Sequence, residues 1–335
     1  MVRIKKKFLI IISAVILAVA FLFPGATASA QAETVYIGGM PAGFTLGLGG
    51  AQVVGICEVL SENGPACPAK EAGLETGDLI VSIGGVSIAS AEEIDKALSA
   101  TLGKPTDIVV KREEEKCSKK ISPVKDKVSG RYRLGVLIRD SISGIGTVTY
   151  IRKSDLRFGS LGHAVAGRNG KLMNVSRGDI YRCSIVDVVK GERGKAGELK
   201  GLFMNDESIA IAEKNCAAGI YGRFRVGYDW SGLKTAEISS AAVPGKATIF
   251  TTVDGIVPKE YSVSIVKVDS GNKQNKNFVL KITDAELLSC TGGIVQGMSG
   301  SPIMQNGKLI GAVTHVFLND PTRGYGISIS NMIDN

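Results

Sequence analysis

Gly297-Met298-Ser299-Gly300-Ser301-Pro302 leads into Ile303-Met304, then Gln305-Asn306-Gly307-Lys308, then Leu309-Ile310-Gly311-Ala312-Val313-Thr314-His315-Val316. Asn-Gly is a strong hairpin turn, and the apolar runs beside it predict two antiparallel strands. The six residues before the hairpin have the composition of a nucleophile turn. A serine that attacks a carbonyl needs an exposed hydroxyl and backbone N–H groups already aimed at the developing oxyanion. Glycines at 297 and 300 admit backbone angles that a side chain forbids. The N–H groups of Gly297 and Ser299 can then converge on one point. Alone, a Gly-x-Ser-Gly run reads equally well as a plain loop between strands. Ser301 lies beyond the turn and reads as structural.

The surrounding chain is β-rich from residue 131 onward. Tyr132 to Ile138 and Ile145 to Ile151 read as strands. Val263, Ile265 and Val268 alternate before Asp269-Ser270-Gly271-Asn272, and Phe278, Leu280 and Ile282 alternate after it, which predicts another hairpin. Strands do not alternate with helices here, so a parallel α/β sheet is disfavoured. About 200 residues of short strands suit a pair of small barrels. The order Gly-x-Ser-Gly-x-Pro, hairpin, Gly-led strand resembles the nucleophile region of chymotrypsin-like proteases. That resemblance implies that Thr314, His315 and Val316 lie along a bound substrate.

A nucleophilic serine needs a base, and the chain has two histidines. His315 falls where the resemblance places substrate contacts. His163 lies in the glycine-flanked turn Gly159-Ser160-Leu161-Gly162-His163-Ala164-Val165. In a two-barrel protease the base and the nucleophile come from different barrels, so His163 is the expected base. A third group should hold the imidazole. Spacing leaves Asp179, Asp187, Asp206, Asp229, Asp254, Asp269 and Asp284 open.

Longer motifs narrow the choice. Ile282-Thr283-Asp284-Ala285-Glu286-Leu287-Leu288 and Thr291-Gly292-Gly293-Ile294-Val295-Gln296-Gly297-Met298-Ser299 resemble the SpoIVB peptidase family of spore-forming bacteria. Ile138-Arg139-Asp140-Ser141, Gly144-Ile145-Gly146-Thr147, Val313 to Phe317 and Asn319-Asp320-Pro321 share that likeness, which runs through nearly the whole chain. The family's serine, histidine and aspartate would fall on Ser299, His163 and Asp284. Cys290, just before the Thr-Gly-Gly turn, departs from the pattern and reads as a packing residue. The resemblance implies a signalling serine endopeptidase working between mother-cell and forespore membranes. Its protein substrate would be a membrane-bound regulator, whose cleavage frees an intramembrane protease to activate a late sigma factor. The chain's own N-terminal region would be a second, self-cleaved substrate. The alternatives are a non-catalytic PDZ scaffold and a general envelope quality-control protease.

Residues 34–115 read as a smaller module. Val53, Val54 and Ile56 open a strand, Pro68 to Leu74 follow, and Gly77-Asp78-Leu79-Ile80-Val81-Ser82-Ile83-Gly84-Gly85 comes next. Ala91 to Leu98 has Ile94 and Leu98 on one helical face. This order resembles the PDZ domains of bacterial proteases, which bind peptides on an open sheet edge. The expected carboxylate-binding loop is Ala42-Gly43-Phe44-Thr45. Residues 116–130 are charged and read as a linker or exposed hairpin, and residues 131–335 as the peptidase domain. The expected fold class is therefore mainly β, a PDZ domain followed by a chymotrypsin-like double β-barrel.

Composition agrees with two folded domains. The chain has 335 residues, 44% of them hydrophobic and 21% charged, with 42 glycines and 10 prolines. Its net charge is +8, and Arg3, Lys5, Lys6 and Lys7 supply half of that. The remainder lacks a basic stripe interleaved with aromatics, so nucleic acid is not an expected partner. The basic start, the apolar run Phe8 to Phe23 and Ala26-Thr27-Ala28-Ser29-Ala30 read as a signal peptide or membrane anchor over residues 1–30. Export follows, with contact to the membrane through that segment. The six cysteines include no Cys-x-x-Cys pair, so neither a structural zinc site nor a cofactor is expected. Their disulfide pairing stays open.

Overall fold

The computed structural model describes residues 33–113, 115–166, 172 and 177–333. The first 30 residues, where the signal or anchor was expected, lie outside them.

The long strand β1 (Pro41–Ile56) begins the architecture. Its first half pairs with β5 (Val136–Arg152) on one edge and with β7 (Arg177–Val189) on the other. The strand β5 continues to β6 (Arg157–Ser160), β6 to β9 (Gly219–Phe224), β9 to β8 (Glu198–Cys216), and β8 back to β7. These pairings close a six-stranded ring. The second ring is a closed barrel of β10 (Gly245–Thr251), β11 (Lys259–Val268), β12 (Phe278–Ile282), β15 (Asp320–Ser328), β14 (Lys308–Phe317) and β13 (Pro302–Gln305). Counting strands along the chain within each ring, both run first, second, third, sixth, fifth, fourth. The expected double β-barrel is present, and its two halves share one topology.

Period-two alternation drives both barrels. Val263, Ile265, Phe278, Leu280 and Ile282 point into the second core with Ile249, Ile303 and Val313. The hairpin predicted around Asp269 forms with Val263 opposite Ile282 and Ile265 opposite Leu280. In the first barrel Ala42, Phe44 and Leu46 alternate inward against Val148, Phe158, Ile180 and Ile220.

The PDZ domain is inserted between the first and second strands of the first barrel. The second half of β1 pairs with β2 (Leu79–Ile83), β2 with β3 (Thr106–Arg112), and β3 with β4 (Glu115–Ile121). Helix α1 (Ala91–Thr101) starts at Ser90, where Ser90 and Glu93 form a reciprocal capping box. It buries Ile94, Ala97 and Leu98 against this sheet. Burial pushes the Asp78 carboxyl up. The two-pronged bond from Arg112 and the N–H of Glu75 outweigh that push and hold it below the ordinary carboxylate range.

Two boundaries differ from the sequence reading. Residues 34–47 belong to the first barrel, because Pro41 to Gly47 are bonded along β5. The expected linker begins inside a strand: Glu115 to Ile121 pair with Thr106 to Arg112 and form an edge of the PDZ sheet. Its many lysines suit an exposed edge strand, where charge discourages pairing with another chain.

Candidate active site

Helix α2 (Ala285–Thr291) delivers the chain to the candidate nucleophile. Gly292 ends it at φ 71. The Thr291 hydroxyl is bonded to both Leu287 O and Gly293 O, which pins the following turn. Met298 is buried in the second core, so the residue before Ser299 anchors the loop. Ser301 is also fully buried, and its hydroxyl donates to Met298 O at 2.6 Å. That bond and burial make it a brace for the turn.

Ser299 is half-buried, and its hydroxyl donates to Thr314 O at 2.7 Å. Met298 N donates to Val295 O, whereas the N–H groups of Gly297 and Ser299 have no acceptor among the described residues. Two unpartnered donors thus flank a paired one, on the loop that carries the hydroxyl. Both Gly297 and Gly300 have φ +96, a conformation open to glycine.

The first barrel grips this loop. Thr147 Oγ1 donates to Gly297 O at 2.8 Å, Thr147 N to Ser299 O at 3.1 Å, and Thr149 Oγ1 to Gly300 O at 2.8 Å. Both threonines are buried on β5. Sequence reading gave them no role. Buried threonines on a strand looked like ordinary β-formers, and their partners lie some 150 positions away.

Thr147 O also accepts from Leu161 N at 3.3 Å, which ties the turn before His163 to the same strand position. Gly162 lies so close to β14 that an added Cβ would come within 2.8 Å of the Thr314 methyl. The His163 turn and the Ser299 turn therefore meet at Thr147 and Thr314. Their places in the fold match as well: each follows the third strand of its barrel.

His163 is half-buried, and its Nδ1 is 2.9 Å from Ala164 O. Donation of Nδ1–H to that carbonyl leaves Nε2 as the basic nitrogen. Asn215 clamps the same loop: its side chain accepts from Val165 N at 3.0 Å and donates to Val165 O at 2.8 Å. Burial pushes the His163 pKa below the usual histidine value, against the raising effect of the Ala164 bond. Its ring lies 4.9 Å, centroid to centroid, from the ring of His315. Partial enclosure, His163 and Lys276 together push His315 down as well, moderated by the water at its exposed edge.

Thr314, His315 and Val316 continue β14 past the point where β13 stops pairing, at Pro302 opposite Ala312. Their other edge is held by β15. The edge facing Ser299 is thus free of a partner strand.

The expected third member of the triad is not brought to the histidine. The Asp284 carboxylate accepts Leu287 N at 3.1 Å and Ser262 N at 3.2 Å, capping α2 and binding it to β11. No carboxylate contacts His163 among the described residues. An N-cap needs a side-chain oxygen and no charge, which gives a direct test. Asp284→Asn is expected to keep most of the activity. Asp284→Ala should lower stability by about 1 kcal/mol and lose activity with it. Melting curves and kcat/KM for both variants check this. Equal, large activity losses in two folded variants would instead put the charge of Asp284 in the reaction.

Ala42, Gly43, Phe44 and Thr45 are not a carboxylate-binding loop. They lie within β1, paired to β5 on one edge and β7 on the other. Ala42 and Phe44 point into the barrel core. Both backbone edges are occupied, so no peptide can add there. The glycine-containing stretch looked like a loop because small residues and a barrel strand share that composition. Among the described residues, no group of three or more His, Cys, Asp or Glu side chains could hold a metal ion.

Comparison with known proteins agrees with this architecture. The profile of the SpoIVB peptidase S55 family matches residues 130–333, and that of the PDZ domain matches residues 61–112. No curated protein matches the chain significantly. A solved PDZ domain, from the SdrC-like protein of Listeria monocytogenes, is 23% identical, with a TM-score of 0.22. The match covers 27% of this chain and 86% of that one.

Proposed function

The chain belongs to the SpoIVB peptidase S55 family and is a serine peptidase of the sporulation class; from that premise we propose that Ser299 and His163 form its catalytic pair. The observation that carries this reading is their convergence. Turns from two different barrels are joined at Thr147 and Thr314, beside two backbone donors with no acceptor.

In the proposed reaction the Ser299 hydroxyl leaves Thr314 O and turns to His163 Nε2. It gives up its proton there as Oγ attacks the substrate carbonyl. The developing oxyanion takes the N–H groups of Gly297 and Ser299. The imidazolium, held through Nδ1–H by Ala164 O, returns the proton to the leaving amine. Water then releases the acyl group by the same route in reverse. The substrate backbone pairs with the open edge at Thr314, His315 and Val316, a strand-addition mode. The bond from Ser299 to Thr314 O describes a resting state that substrate must displace.

Burial lowers the His163 pKa, so the neutral, active base persists below the ordinary histidine pKa of about 6.5. The acidic limb of kcat/KM is expected below that value, with rate falling as pH drops through it. A limb above 7 would contradict the buried setting of this imidazole.

In the cell, we place the enzyme in the space between mother-cell and forespore membranes, exported or anchored by residues 1–30. It would cut a membrane-bound regulator and so release an intramembrane protease that activates a late sigma factor. The PDZ domain would choose the partner and restrain cleavage of the enzyme's own N-terminal region. Mass-spectrometric cleavage maps test this role. One site in a membrane-tethered regulator, with unfolded casein left intact, is the expected result. Broad cleavage of casein would mark a quality-control protease instead.

A further inference from the structure

The chain has two histidines, from different barrels and 152 positions apart in sequence, and the fold sets them side by side. Their ring centroids are 4.9 Å apart with the planes inclined by 42°. We propose that His163 and His315 together form an inhibitory site for a divalent transition-metal ion of the zinc class, with the Ser299 hydroxyl or solvent completing the shell.

The spacing suits a shared ion. A tetrahedral zinc about 2 Å from one nitrogen of each ring holds two imidazole centroids roughly 5 Å apart. The loop geometry suits it too. A metal-binding imidazole commonly donates its second N–H to a backbone carbonyl, which fixes the tautomer and aims the other nitrogen outward. His163 has that arrangement through Nδ1 and Ala164 O, and Asn215 steadies the loop two residues on. Burial disfavours the charged form of both rings, so neither needs to shed a proton near neutral pH. The one cation acting on His315 besides His163 is Lys276, whose ammonium is drawn over the Tyr325 ring at 5.0 Å.

The consequence is competition for one lone pair. The Nε2 that would bind the metal is the nitrogen that would take the proton of Ser299. Metal binding and acyl transfer therefore exclude each other. With two protein nitrogens the shell is incomplete, so the ion should exchange and be removable by chelators. Nitrogen ligands favour zinc and copper over magnesium and calcium, which seek oxygen. Inhibition rests on His163 being the base; binding of the ion does not.

The test is a zinc titration of the purified chain against a chromophoric chelator, repeated with His163→Ala, His315→Ala and His315→Phe. The Phe variant keeps a ring in place without a ligand, and circular dichroism melts confirm the folds. Wild type is expected to bind one equivalent of zinc, and each variant at least about tenfold more weakly. Zinc should also slow fluorophosphonate labelling of wild type about tenfold or more, with recovery in EDTA. Wild-type affinity in all three variants would overturn the proposal, because other side chains would then hold the ion. So would no binding at about 100 μM zinc, an affinity too weak for a built site. If the expected binding pattern holds but the protein never labels, the metal site stands and the peptidase reading of Ser299 fails.

Discussion

Ser299→Ala is expected to remove peptide hydrolysis almost completely, with kcat lower by about 10⁶-fold. His163→Ala should cost about as much, and the double variant little more, because nucleophile and base act as one unit. The loss should fall on kcat, since neither change removes the open edge of β14 that binds substrate. Stability should move little: Ser299 is half-buried, and its hydroxyl makes one hydrogen bond, to Thr314 O. Steady-state kinetics on a peptide spanning the mapped cleavage site check this. A His163→Ala enzyme with near-normal kcat would show that another group takes the proton.

Gly300→Ala should have the next largest effect, on both structure and turnover. A Cβ there would lie 2.1 Å from Thr147 O and 2.6 Å from Leu161 N, both backbone atoms of the first barrel. The residue also sits at φ +96, which by itself costs an alanine about 1–3 kcal/mol. Relief requires the barrels to part at the point where the two turns meet. We expect a fall in melting temperature of several degrees, for which about 1 kcal/mol suffices, and at least about a hundredfold loss of kcat/KM. Gly307→Ala is the control: it also has positive φ, but open space surrounds it. It should lower stability modestly and leave kcat intact. Equal activity losses in the two variants would show that the barrel seam does not set the catalytic geometry.

Much of this was legible in the chain because local patterns act locally. Asn306-Gly307 forces its hairpin, and Val263, Ile265, Leu280 and Ile282 alternate because one face is core. Ser90 and Glu93 cap α1 wherever that helix goes. What failed depended on partners far along the chain. Ala42 to Thr45 read as a loop, since nothing nearby reveals that strands starting at Val136 and Arg177 close on both its edges. Thr147 and Thr149 looked like strand filler until their partners at 297, 299 and 300 were seen. The family likeness singled out Asp284 by position, and the fold gives that carboxylate a helix N-terminus to cap. The aspartate that spacing alone could not choose turns out to be no neighbour of His163, whose described partners are Ala164 O and the His315 ring.

The most direct test uses a fluorophosphonate probe with intact-mass and peptide mapping of the adduct. If the imidazole at 163 activates the hydroxyl at 299, wild type gains one phosphonyl group on Ser299, and His163→Ala and Ser299→Ala gain none. An adduct on Ser301, or labelling of His163→Ala at the wild-type rate, would contradict the account.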